Sequence, residues 1–77
     1  MSETLNLMLK NMGFSPLDKL DKMFNVVVGE DNVTVFKDKK LDIYIAITYG
    51  RSLQINELST EEVTILNEYL QRSKLPD

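Results

Sequence analysis

Histidine and cysteine are both absent from the 77-residue sequence, which removes most side chains that enzymes use at neutral pH. Without histidine there is no imidazole base, no Ser-His-Asp triad and no imidazole metal ligand. Without cysteine there is no thiolate nucleophile, no thiolate metal site and no disulfide. The three glycines, at positions 13, 29 and 50, form no phosphate-binding loop. The sequence therefore predicts a protein that is not an enzyme, with no catalytic residue, no cofactor and no metal site.

Long apolar runs are also absent. No stretch approaches the roughly 18 residues that a membrane-spanning helix needs. No cationic segment followed by an apolar one begins the chain, so a secretory signal is not expected. The net charge of -3, from 12 acidic and 9 basic residues, disfavours bulk attraction to nucleic acid or anionic lipid. We expect a single cytoplasmic domain without membrane contact.

The clearest pattern in the chain is a strict alternation over residues 41–49. Because side chains alternate across a strand, this pattern predicts a long β-strand with one apolar and one mixed face. The even positions of the stretch are Asp42, Tyr44, Ala46 and Thr48. Its apolar face consists of the odd positions Leu41, Ile43, Ile45, Ile47 and Tyr49.

Caps and turns place the other elements. Gly13 is typical of a helix end, and Ser15 with Pro16 is typical of a second helix start. Ser59 and Glu62 form a capping-box pattern before the last helix. We expect helices at about 3–12 and 16–24, strands at about 26–29, 33–37, 41–49 and 53–56, and a helix at about 60–73. The predicted fold is α+β: two short N-terminal helices, a four-stranded antiparallel meander, and a C-terminal helix, with the helices packed mainly on one sheet face.

A slip of one residue in strand pairing moves every side chain to the other face, so the loop lengths can be tested against the pattern. Three-residue loops at 30–32, 38–40 and 50–52 keep one face continuously apolar. They pair Val27 with Val35, Lys37 with Leu41, Val35 with Ile43, Val33 with Ile45, Tyr49 with Leu53, and Ile47 with Ile55. The predicted inner face is Val27, Val33, Val35, Ile43, Ile45, Ile47, Leu53 and Ile55.

The opposite, outer face is more apolar than a fully wetted face needs to be. An exposed apolar patch of this kind usually marks an interaction site. The first helix, a second copy of the chain or another protein are the alternatives for covering it. We predict Phe36 and Tyr44 as the centre of a partner-binding surface, because interface hot spots favour buried aromatic residues. The predicted surface also includes Val26, Val28 and Ala46.

A second hypothesis rests on basic residues. Lys37, Lys39 and Lys40 cluster at one hairpin, Arg51 occupies a turn, and two aromatic residues lie on the outer face. Lysines around aromatic side chains on a sheet are the ingredients of single-stranded nucleic-acid binding. The absence of an RNP-type motif and the negative net charge disfavour this hypothesis.

Two acidic groups have simpler interpretations. The alternating Asp18, Lys19, Asp21 and Lys22 pattern is typical of a solvated helix face. The tripeptide at positions 30–32 carries three oxygen-bearing side chains, but it lacks the spaced ligands and distal glutamate of an EF-hand loop. A plain turn is the favoured interpretation over a weak calcium site.

The leading functional hypothesis is a small non-enzymatic interaction module: an adaptor, regulator or inhibitor that binds another protein or itself as a homodimer. Its size and lack of catalytic residues are typical of bacterial or phage-borne accessory proteins. Weak binding of single-stranded nucleic acid is the alternative.

Overall fold

The protein is described by a computed structural model that covers residues 2–74. One helix precedes the sheet and one follows it, in an α+β arrangement. The sheet has four antiparallel strands in the order β1-β2-β3-β4. No helix within the described residues is long and apolar enough to cross a membrane. The elements are α1 (Ser2–Asn11), β1 (Asp21–Val28), β2 (Asp31–Asp38), β3 (Ile43–Tyr49), β4 (Leu53–Leu58) and α2 (Thr60–Lys74), with a 3-10 turn at Leu17–Lys19 before β1.

Helix α1 ends in the way that its glycine predicts. Gly13 has a φ of 84°, and the N–H groups of Gly13 and Phe14 donate to the carbonyls of Lys10 and Leu9 at 3.0 and 2.9 Å. These two bonds form a Schellman motif, which satisfies carbonyl groups at the helix end. Phe14 and Leu9 belong to the same apolar cluster, so the motif also turns the chain back toward the sheet.

The prediction of a second N-terminal helix, at residues 16–24, is wrong. Only the 3-10 turn Leu17–Lys19 is helical there, and β1 begins at Asp21. A β-bulge explains the misleading spacing of apolar residues, because the register with β2 shifts between Lys22 and Phe24. Leu20 packs on one side of the sheet and Phe24 on the other, so they form no helical stripe.

The register between β3 and β4 agrees with the prediction. Tyr49 pairs with Leu53 and Ile47 with Ile55 across the turn at residues 50–52. The β1–β2 register does not agree, since Val26 pairs with Val33 and the turn consists only of residues 29–30. Gly29 has a φ of 64°, the positive value that a two-residue hairpin turn needs at its first central position.

The predicted β2–β3 register is also wrong. Phe36 pairs with Ile45 and Val35 with Ala46, because the loop between the strands comprises the four residues 39–42. Asp42 in this loop has a φ of 57°, a left-handed conformation that aspartate adopts more readily than most residues. The longer loop moves Phe36 onto the face of the β3 isoleucines and moves Val33 and Val35 to the other face.

The two helices therefore cover opposite faces of the sheet, which corrects the expectation that they pack mainly on one. We call the face that carries Ile45, Ile47 and Ile55 the isoleucine face; α1 packs on it through the buried Leu5 and Leu9. The second face, here called the valine face, lies under the α2 residues Val63, Leu66 and Leu70. Its buried residues are Val26, Val33, Val35 and Ala46.

Helix α2 begins with the predicted capping box. The Ser59 N–H donates to Glu62 Oε1 at 2.9 Å, and the Glu62 N–H donates to Ser59 Oγ at 3.1 Å. Leu58 and Val63, on either side of the cap, both pack against the valine-face cluster. The box thus fixes where the chain leaves β4 and turns across the sheet.

Candidate functional site

The predicted partner-binding residues do not form one surface. Phe36 lies on the isoleucine face, where it packs against the cluster under α1. Val26, Val28, Tyr44 and Ala46 lie on the valine face. Val26 and Ala46 are only 2% and 4% exposed, since α2 covers them. The cover thus comes from the last helix, an alternative that the sequence patterns did not suggest.

Tyr44 and Val28 lie at opposite ends of the valine face. Val28 is next to the turn at residues 29–30 and is 36% exposed. Tyr44 pairs with Lys37, whose Nζ lies 4.4 Å from the centroid of the tyrosine ring. This cation–π contact places a charge over one side of the ring.

The predicted basic cluster is also divided. Arg51 lies in the turn between β3 and β4, at the opposite end of the strands from the loop at residues 39–42. Lys37 Nζ donates to Asp42 Oδ1 at 2.8 Å. That hydrogen bond raises the pKa of Lys37 and lowers the pKa of Asp42. Lys39 Nζ lies 3.3 Å from Asp21 Oδ2, so two of the lysines already have carboxylate partners.

The tripeptide at residues 30–32 does not form the single turn that the sequence predicted, because Asp31 and Asn32 belong to β2. Asn32 pairs its side-chain oxygen with the amide of Asn25, which also donates to Thr34 Oγ1. Within residues 2–74, no group of three or more acidic side chains is arranged to hold a metal ion.

The feature that sequence patterns missed is the buried carboxylate of Asp38, which has no exposed surface. The Ser15 N–H donates to Asp38 Oδ2 and the Ser15 hydroxyl to Oδ1, both at 2.9 Å. The N–H groups of Lys40 and Leu41 donate to Oδ1 at 3.1 and 3.3 Å. Asp38 therefore joins the segment between α1 and β1 to the loop between β2 and β3.

Four donors keep this buried group ionised. Burial, the strongest single influence, raises the pKa of the Asp38 carboxyl, but the bonds from Ser15, Leu41 and Lys40 together outweigh it. The pKa is therefore held below its usual value. A second bond fixes the same region, because the Leu17 N–H donates to Asn6 Oδ1 at 2.8 Å.

Above this joint lies an open depression of about 560 Å³, which we call the loop-end hollow. Its apolar residues are Phe14, Pro16 and Leu41, and Leu41 is 42% exposed. It is lined further by Gly13, Ser15, Lys19, Lys39 and Lys40. The lining of the hollow thus combines three apolar residues with three lysines.

The residues of the hollow are suited to binding a ligand and not to catalysing a reaction. The Ser15 hydroxyl is committed to Asp38 and is almost buried, so it presents no free nucleophile to a ligand. Apolar surface attracts apolar side chains, and the three lysines attract anionic groups. A turn signal at Asp38 was visible in the sequence, but nothing there indicated that its partner would be Ser15, which was predicted to cap a helix.

Other exposed apolar residues are dispersed. Val27 and Tyr49 are exposed on the isoleucine face near the turn at residues 29–30, and Ile65 and Tyr69 are exposed on α2. Exposed apolar side chains are common on folded proteins, so these alone do not define a site. Comparisons with protein-family models, curated proteins and solved structures find no match to this chain.

Proposed function

We propose that this chain is a small non-enzymatic interaction module that binds another protein at the loop-end hollow. The observation that carries the proposal is the joint beneath the hollow, where Asp38 accepts four hydrogen bonds from Ser15, Lys40 and Leu41. Loops are normally the more mobile parts of a domain. Here two loops are held together, which lowers the entropy lost when a partner binds.

The surface differs from the one predicted from the sequence. Val26 and Ala46 are covered by α2, and Phe36 lies half-buried on the opposite, isoleucine face, so the three do not present one accessible surface. Leu41 and Pro16 are accessible in the fold as it stands. They take the place of Phe36 and Tyr44 as the apolar contacts of the proposed surface.

Weak binding of single-stranded nucleic acid through Lys37, Lys39, Lys40 and Arg51 is the second candidate. Lys39 and Lys40 do both line the hollow. The candidate has less support, because Arg51 lies at the other end of the strands and Lys37 is held by Asp42.

Affinity capture with matched variants tests the proposal. Leu41→Gln should abolish recovery of the partner from an extract of the source cells, because it places an amide among the apolar residues of the hollow. Leu7→Gln makes the same change at an α1 residue that is 58% exposed, and it should leave recovery unchanged. Circular dichroism should show that both variants are folded. Equal recovery with the two folded variants would contradict the proposal.

A further inference from the structure

The charges around the loop-end hollow indicate what kind of partner it accepts. We infer that its occupant is an acidic segment of a partner protein, with carboxylates flanking one large apolar side chain. This inference rests on the proposed interaction function and specifies the chemistry of the same site.

Positive charge gathers at this end of a chain that is negative as a whole. Six lysines and four aspartates lie within residues 10–22 and 37–42, whereas the other residues include eight acids and three bases. The two segments carry a net charge of +2 even with the buried, ionised carboxylate of Asp38 included. The field at the hollow thus attracts an acidic segment, while the rest of the molecule repels it.

The lysines that line the hollow are available to such a segment. Within residues 2–74, no carboxylate lies at ion-pairing distance from Lys19 or Lys40. Lys39 pairs with Asp21, but the two side chains are 79% and 48% exposed. An exposed pair of this kind contributes little to stability, so a partner carboxylate can replace Asp21 at little cost.

The apolar part of the lining favours an apolar group in the ligand as well as charge. Phe14, Pro16 and Leu41 present apolar surface in the same hollow as the lysines. Binding energy in such an arrangement is concentrated in one apolar side chain at the centre, while the surrounding polar contacts exclude water. A purely anionic ligand would leave this surface exposed, so a peptide with both features fits better.

A nucleic-acid strand fits less well. Its phosphates need a continuous basic track, and aromatic rings are needed for the bases. Asp21 and Asp42 lie among the lysines at this end of the sheet. Asp42 forms an ion pair with Lys37, and Asp21 forms one with Lys39. Phe14 is the one aromatic residue in the lining of the hollow.

Fluorescence anisotropy with short labelled peptides tests the inference on the whole chain. The first probe has a central Leu-Phe pair flanked by glutamates; the second replaces the glutamates with glutamines, and the third replaces Leu-Phe with Gly-Gly. We expect only the first to bind well. Its affinity should fall as salt rises from about 0.01 M to 0.15 M, because the Debye length shrinks from about 30 Å to 8 Å.

Two charge-reversal variants test whether the peptide binds at the hollow. Lys40→Glu should weaken the first peptide by about three- to tenfold, as expected for the loss of exposed charge contacts. Arg51→Glu changes the net charge by the same amount at the far end of the strands and should leave the affinity unchanged. Equal weakening by the two variants would overturn the assignment of the acidic segment to the hollow.

The remaining outcomes separate the inference from the proposed function. If Leu41→Gln abolishes partner recovery but the glutamine peptide binds as well as the acidic one, the inference fails and the function stands. If an oligothymidine binds as tightly as the acidic peptide, the occupant is nucleic acid and the inference fails. If molar mass by light scattering rises with concentration, and Leu41→Gln prevents the rise, the occupant is a second copy and the inference is again overturned.

Discussion

Ser15 donates both its backbone N–H and its hydroxyl to the carboxylate of Asp38, 23 positions further along the chain. This pair links the segment between α1 and β1 to the end of β2. It lies beneath the loop-end hollow, so the stability of the pair and the shape of the hollow depend on each other.

Removing the Asp38 carboxylate should destabilise the fold. Asp38→Ala leaves two buried donors of Ser15 without an acceptor, at a cost of roughly 2–5 kcal/mol in the free energy of unfolding. Urea denaturation measures the loss. Asp18→Ala removes an exposed aspartate and should change stability by less than about 0.5 kcal/mol. A comparable loss in both variants would contradict the role given to the buried pair.

The same carboxylate makes stability depend on pH in a defined direction. Since the folded-state pKa of Asp38 is lowered, the unfolded chain takes up its proton first as the pH falls. The Asp38 contribution is therefore complete above the unfolded pKa of about 3.9 and is lost as the pH falls through the folded pKa. The difference in unfolding free energy between wild type and Asp38→Asn should shrink below about pH 4. A difference that grows in acid would contradict this assignment.

A charged side chain in the core between the sheet and α1 should unfold the domain. Ile45 has no exposed surface, so Ile45→Asp buries a carboxylate without a partner and should abolish the cooperative thermal transition. Ile65→Asp makes the same substitution at an α2 residue that is 64% exposed, where the cost should stay below about 1 kcal/mol. A wild-type melting curve for Ile45→Asp would rule out the assigned core.

The capping box should contribute measurably to α2. Ser59→Ala removes the acceptor of the Glu62 N–H and should cost about 0.5–2 kcal/mol. Ser73→Ala removes a hydroxyl near the other end of the helix and should be close to neutral, because alanine favours helix. Thermal denaturation of the two variants gives the comparison, and equal losses would argue against a specific role for the cap.

Local signals predicted the parts of the fold that depend on nearby residues. The Gly13 helix end, the Ser59 cap and the β3–β4 register each rest on contacts across a short stretch of chain. In each case the residue type itself provides the required φ angle, hydrogen bond or turn length.

The β2–β3 register failed because the prediction assumed one apolar face. Under that assumption, a register was accepted only if it placed the apolar residues of neighbouring strands on the same face. With α2 over the valine face, both faces are apolar, and the pairing of Val35 with Ala46 carries no penalty. The pattern of one strand could not reveal which helix would cover its other side.

The loop-end hollow was not predictable for a related reason. Phe14 and Leu41 come from segments far apart in the sequence, and Asp38 brings them together through Ser15. From the sequence, Leu41 was interpreted as a strand position, Ser15 as a helix cap and Asp38 as a turn residue, and Phe14 had no assigned role. Only the tertiary contact made them parts of one surface.

Backbone amide shift mapping with the captured partner tests the central claim most directly. We predict that the largest shift changes fall on Phe14, Lys40 and Leu41 when the purified partner is added to the labelled chain. Changes centred on Val27 and Tyr49, with the hollow unaffected, would show that the partner binds the exposed isoleucine face and would contradict the claim.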